Sequence, residues 1–155
     1  FDVKYGVTQG LTADMTYNTD FAQVEADEQQ VNLTRFTLSF PEKREFFLEN
    51  QGTFTFGGVA SGMMNNIGDT PMLFYSRRIG LNRNQVVPLE LGARLTGKAG
   101  KYSLGLINIQ AKREAVSRTP ATNFTVLRVR RDILRNSTIG AMFTNRSAST
   151  VASLA

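Results

Sequence analysis

The sequence predicts an all-β fold, an antiparallel up-and-down meander that makes up part of a β-barrel wall. Three observations carry this reading. Apolar and polar residues alternate with period two along several runs. Short Gly-bearing turns separate those runs. The polar side of the runs is rich in Gly, Ser, Thr and Arg rather than Lys and Glu. The face of a soluble sandwich that meets bulk water favours Lys and Glu, whereas small groups and Arg suit a crowded barrel lumen.

The runs follow in order. Phe1-Asp2-Val3-Lys4-Tyr5 alternates from the first residue, and Gly6 to Gly10 separates strand 1–6 from strand 11–18. In Leu11 to Asn18 the odd positions are apolar and the even ones polar. Val31 and Leu33 share one parity while Phe36, Leu38 and Phe40 share the other, so strand 31–40 needs a bulge near Arg35. Leu89 to Thr96 alternates cleanly. Gly97-Lys98-Ala99-Gly100 reads as a tight hairpin between strands 87–97 and 101–111. Arg131 to Asn136 separates strand 122–130 from strand 137–146, in which Ile139, Ala141 and Phe143 share a face. Strand candidates number roughly eight over the chain, the low end of known membrane barrels.

Three segments read otherwise. Residues 19–29 are acidic and suit a loop or a helical turn. Residues 41–50 open with Pro and continue with helix formers, which predicts a short helix. Residues 57–71 are rich in Gly and Asn and read as a loop. A soluble β-sandwich remains open as the second architecture, because periodicity alone does not separate it from a barrel.

Composition excludes several chemistries. The 155 residues contain no Cys, His or Trp. Thiol nucleophiles, disulfides, Ser-His-Asp triads and the usual zinc sites are therefore ruled out within this chain. No run approaches the roughly 18 apolar residues of a membrane-spanning helix. The chain opens on Phe1 and carries no signal-peptide pattern, and its last residues carry no stop signal. Both ends read as cut from a longer parent, and the fragment is expected not to close on itself.

The net charge of +5 is uneven. Residues 1–50 hold four Lys and Arg against nine Asp and Glu, 4 − 9 = −5; residues 51–155 hold fourteen against four, 14 − 4 = +10. The split fits a basic nucleic-acid surface or two halves that face and pair with each other. The basic residues are spread along strands rather than clustered, which favours pairing, and no nucleic-acid partner is expected.

Candidate site residues are charges expected inside the barrel. Arg128 and Arg130, at i and i+2, share one strand face, and Arg94 lies on another strand. With Arg77 and Arg78 they suit an anion-favouring stripe, or ion pairs to Asp20, Glu25, Glu28 or Glu42 that brace the wall. Asp14 and Glu90 occupy even, polar positions and are expected on the same side as those arginines. Asp20, Glu25, Asp27 and Glu28 are oxygen-rich, but their spacing does not match a calcium loop, and pairing with Arg is the preferred reading. Glu42, Glu45 and Glu49 share a helix face at i, i+3 and i+7, which does not make the two-carboxylate cleft of a glycosidase. Phe46, Phe47 and Leu48 suggest that their segment docks on or inside the barrel. Phe54, Phe56, Phe74 and Tyr75 fit an interfacial girdle or an ordinary core. No metal, cofactor or catalytic residue is assigned.

Five stretches in order carry a family resemblance: Asp20 to Phe36, Phe40 to Asn50, Leu73 to Leu81, Gly92 to Gln110, and Pro120 to Leu134. Together they resemble the bacterial domain of unknown function 5916, the C-terminal part of proteins that carry an N-terminal domain like a family 9 carbohydrate-binding module. The resemblance covers nearly the whole chain and implies an outer-membrane β-barrel in a Gram-negative envelope. It places this chain early in that C-terminal domain. The implied partners are outer-membrane lipid and a saccharide or other small solute, and the implied role is solute passage or docking. The alternative is a soluble β-domain of a carbohydrate-binding or carbohydrate-processing hydrolase. The lack of Trp, a common sugar-stacking residue, weighs against it.

Overall fold

The computed structural model describes residues 1–18, 42, 44–55, 73–82, 85–113, 120–135 and 137–148. Strand 31–40, the acidic segment 19–29 and the loop 57–71 lie outside them. Eight strands appear among the described residues: β1 (Asp2–Thr8), β2 (Leu11–Tyr17), β3 (Leu81–Asn82), β4 (Gln85–Val86), β5 (Leu89–Ala99), β6 (Tyr102–Ala111), β7 (Thr122–Asp132) and β8 (Thr138–Ala148). Six form one sheet in the order β1-β2-β5-β6-β7-β8, and β3 pairs with β4 in a two-residue ladder. Every neighbouring pair in the large sheet is antiparallel. The fold is therefore all-β and up-and-down, as the alternation predicts. The sheet is not closed: β1 and β8 are its two edges.

The register shows which residues share a face. Directly opposed residues of an antiparallel pair point to the same side. One row runs Lys4, Asp14, Arg94, Ile107, Val126, Thr144, and it defines the first face. The next row runs Tyr5, Ala13, Leu95, Leu106, Leu127, Phe143, and it defines the second. In the central strands the first face is covered. Arg94 and Thr96 of β5, Ile107 and Ile109 of β6, and Val126 and Arg128 of β7 are all buried. On the second face Tyr5, Met15, Leu106, Leu127 and Phe143 are exposed.

A helix α1 (Glu45–Leu48) and a 3₁₀ turn at Gln51–Phe54 lie on the first face. Phe47 and Phe54 join Ile107, Ile109 and Val126 in the hydrophobic cluster there. Gly105 makes room for this contact, since a Cβ on it would stand 2.9 Å from the Phe54 ring. Phe54 and Phe74 meet with ring centroids 6.0 Å apart, so these two aromatics are core rather than girdle.

Three element boundaries differ from the sequence expectation. The helix is shorter than 41–50, because Arg44 is extended (φ −80°, ψ 123°) and its N–H donates to Glu42 Oε1 at 3.1 Å. The β5–β6 hairpin turns at Gly100-Lys101, two residues later than expected, with Gly100 in the left-handed region at φ 60°. Strand β7 runs on to Asp132, which pairs with Thr138.

Candidate functional site

The covered face of the sheet holds a charged cluster centred on Arg94. Alternation on β5 sends this side chain beneath α1, where 3% of the residue remains exposed. Its Nη2 sits 2.6 Å from Asp14 Oδ2, on the neighbouring strand at the directly opposed position. The same Nη2 sits 2.6 Å from Glu49 Oε2, just after α1. Nη1 donates to the carbonyls of Phe46 and, at 2.8 Å, Glu49. The guanidinium also lies over the Phe46 ring, 5.1 Å from its centroid. One arginine thus satisfies two carboxylates and two carbonyls, which its planar fork of donors allows and an ammonium does not.

Lys4 extends the cluster to the edge strand. It donates to Glu49 Oε1, and its Nζ is 3.9 Å from Asp14 Oδ1. Glu49 is nearly half exposed, yet hydrogen bonds from Lys4 and then from Arg94 hold its carboxyl below the ordinary range. Asn50 completes the attachment, donating to Thr96 Oγ1 at 3.1 Å.

A second buried cluster fixes the entry to α1. Arg44 pairs with Glu42 through Nε and Nη2, each at 2.7 Å. It also donates to the carbonyls of Ile79 at 2.7 Å and Ser76 at 2.8 Å. The Ser76 hydroxyl donates to Glu42 Oε2 at 2.6 Å. Burial works against the Glu42 charge, but Arg44 and Ser76 outweigh it and hold the carboxyl below its ordinary value. Arg44 lies 4.2 Å from the centroid of Phe47.

The other sequence candidates fall around these clusters. Arg128 and Arg130 are on the same face as Arg94 and Asp14, through the pairings Arg94 to Ile107 and Ile107 to Val126 and the two-residue spacing along β7. Arg128 is buried, while Arg130 is partly buried and its Nε has no hydrogen-bond partner among the described residues. Glu90 is exposed and sits in a bulge between Leu89 and Leu91, which interrupts the parity that groups it with Arg94. Asp20, Glu25 and Glu28 lie outside the described residues. Arg77 and Arg78 fall in a 3₁₀ turn at Ser76–Arg78, off the strands. Glu42 and Glu49 lie outside α1 and bind separate arginines, so the three glutamates make no common helix face.

Sequence reasoning missed Glu49 as the partner of Arg94, and Lys4 altogether. The missed signal is small: Glu49 follows the helix formers, and Lys4 alternates with Val3 and Tyr5. The arrangement is that of a brace. It ties a non-strand segment, residues 44–54, to the covered face of a sheet whose opposite face is largely apolar and exposed.

A family model described as "Domain of unknown function (DUF5916)" matches residues 1–108. No curated protein and no solved structure matches the chain.

Proposed function

The chain belongs to the family described as Domain of unknown function (DUF5916), and we propose that its six-stranded sheet is part of the wall of a β-barrel in a Gram-negative outer membrane. The observation that carries this reading is the open second face. At its register-paired positions the one charged side chain is Arg131, which pairs across to Ile139. Exposed there are Val3, Tyr5, Met15, Tyr17, Leu91, Leu106, Leu127, Ile139 and Phe143. Monomeric soluble proteins rarely leave so broad an apolar surface to water. Lipid-facing strands require it.

Other features agree. Strands β5 to β8 are 10 or 11 residues long, the length that crosses a bilayer at a tilt of about 45°. The charged side chains Lys4, Asp14, Arg94, Arg128 and Arg130 gather on the opposite face, which becomes the lumen. Residues 44–54 then occupy the lumen, braced by Arg94 and Arg44. The edges β1 and β8 pair with further strands, since lipid cannot satisfy open backbone groups. The role that follows is passage or docking of a polar solute at the lumen face. The resemblance to proteins with a carbohydrate-binding-like domain points to the saccharide class.

One observation favours a second reading. Phe47, Phe54, Ile107, Ile109 and Val126 pack as an ordinary hydrophobic core under α1. A soluble β-domain, carbohydrate-binding or carbohydrate-processing, would also build such a core. Fractionation of the full-length protein separates the two. Recovery in the outer-membrane fraction, released by detergent alone, supports the barrel. Recovery in the soluble periplasm overturns it.

A further inference from the structure

The second face is not apolar throughout. On β6, β7 and β8 it ends in an uncharged amide and hydroxyl patch. Asn108, Thr125 and Asn145 form one register row, and Gln110, Asn123 and Ser147 form the next. The patch is bonded within itself. Asn108 Nδ2 donates to Thr125 Oγ1 at 2.8 Å and to Asn123 Oδ1 at 3.1 Å, and Asn123 Nδ2 donates to Gln110 Oε1 at 3.2 Å. On β2 and β5 the same two rows are apolar: Met15 with Ala93, and Tyr17 with Leu91. The register continues these rows directly into the patch, Ala93 opposite Asn108 and Leu91 opposite Gln110.

The boundary between apolar and polar is therefore level over β2 and β5, steps between β5 and β6, and is level again over β6, β7 and β8. On β5 the apolar side chains begin at Leu91; on β6 they begin at Leu106, opposite Leu95, 95 − 91 = 4 residues further along. At about 3.3 Å per residue that is about 13 Å. At the other end the side chains of β8 stay apolar to Ile139, while Arg131 stands opposite it on β7.

A flat layer of hydrocarbon meeting tilted strands produces this pattern. From the β2–β5 pair to the β6–β8 group is two to three strand steps of about 4.8 Å, or about 10–14 Å laterally. A tilt near 45° converts that into about the same displacement along the strands. The offset between the two groups, about 13 Å, is of that size, and it is taken in one step between β5 and β6.

We infer that the hydrocarbon boundary of the bilayer crosses this face obliquely, with Met15, Tyr17, Leu91 and Ala93 inside it and the Asn108–Thr125–Asn145 row outside it at headgroup level. This rests on the barrel reading and fixes where the lipid lies on it. The strands thus have a defined slope, and the amide patch takes the hydrogen bonds of headgroups and interfacial water.

This chain has no Cys, so replacing any cysteine outside it by Ser gives a background in which single cysteines report cleanly. Met15→Cys, Ala93→Cys, Leu127→Cys, Asn108→Cys, Thr125→Cys and Asn145→Cys are placed in the full-length protein. Each is labelled with an environment-sensitive fluorophore in phosphatidylcholine vesicles that contain doxyl-labelled lipid. Several-fold stronger quenching at residues 15, 93 and 127 than at 108, 125 and 145 is expected. Equal quenching at 93 and 108, neighbours in one register row, overturns the oblique boundary and leaves the barrel standing. Lipid quenching at none of the six overturns the barrel reading and this inference with it. Labelling the same cysteines in isolated native envelopes with a membrane-impermeant maleimide gives a second readout that needs no refolding. Reactivity at 108 and protection at 93 support the boundary, and equal reactivity contradicts it.

Discussion

Arg94 and Glu49 join a strand to the segment that covers it, Nη2 to Oε2 at 2.6 Å across 45 residues of sequence. Arg94 is almost wholly buried and Glu49 is nearly half exposed. The arginine is therefore the member whose loss costs most. Its removal leaves Asp14 beneath α1 without its guanidinium, and the Phe46 and Glu49 carbonyls without that donor.

Arg94→Met is expected to destabilise the folded chain by about 3–5 kcal/mol, the cost of breaking a buried pair from one side. Arg94→Lys keeps the charge but cannot reach two carboxylates and two carbonyls together, so it recovers part of that loss. Denaturant unfolding midpoints of the wild type and both variants check the order. A midpoint for Arg94→Met equal to wild type removes the brace from the account.

Acid should loosen the same attachment. Glu49 has its folded pKa lowered, first by the Lys4 hydrogen bond and then by that from Arg94. A depressed carboxyl contributes stability that is fully present above its unfolded value near 4.5 and is lost as pH falls through the folded value. Hydrogen exchange at the amides of Phe47, Leu48 and Thr53, corrected for intrinsic rate, should accelerate as pH drops below that value. In Glu49→Gln the acceleration should be weaker and the exchange already faster at neutral pH. Glu42 is lowered too, against its burial, and adds to the acid response of the wild type and the variant alike.

The seat under Phe54 gives a third prediction. Gly105→Val adds atoms where a Cβ already meets the Phe54 ring at 2.9 Å. Overpacking of this kind costs about 1–3 kcal/mol. Residues 51–54 should lift from the sheet and become sensitive to proteolysis while the strands persist. Gly105→Val with unchanged protease resistance would show that Phe54 has room to move.

The alternating runs were legible because their period follows from the strand itself. Leu11 to Tyr17, Leu89 to Thr96 and Ile139 to Thr144 lie in strands β2, β5 and β8. The hairpin was misplaced by two residues because Gly97 looks like a turn glycine. It is a strand residue where the start of β2 passes so close that a Cβ would collide with the Gly10 carbonyl oxygen and come within 2.7 Å of the Leu11 Cα. The position of Glu90 was not legible, since one inserted residue resets the parity of everything before it. Nor was the Arg94–Glu49 pair, which depends on how residues 44–54 pack and not on any spacing along the chain. The common face of Arg94, Arg128 and Asp14 was legible, because it needs only parity and antiparallel pairing.

The central claim is that the apolar second face meets lipid. Gel mobility of the full-length protein, extracted from envelopes in mild detergent and run with and without boiling, tests it most directly. Circular dichroism of the same sample reports its strand content. The account predicts a strand-rich species that migrates differently before and after boiling. A protein that stays monodisperse in buffer without detergent, with one mobility under both conditions, would contradict it.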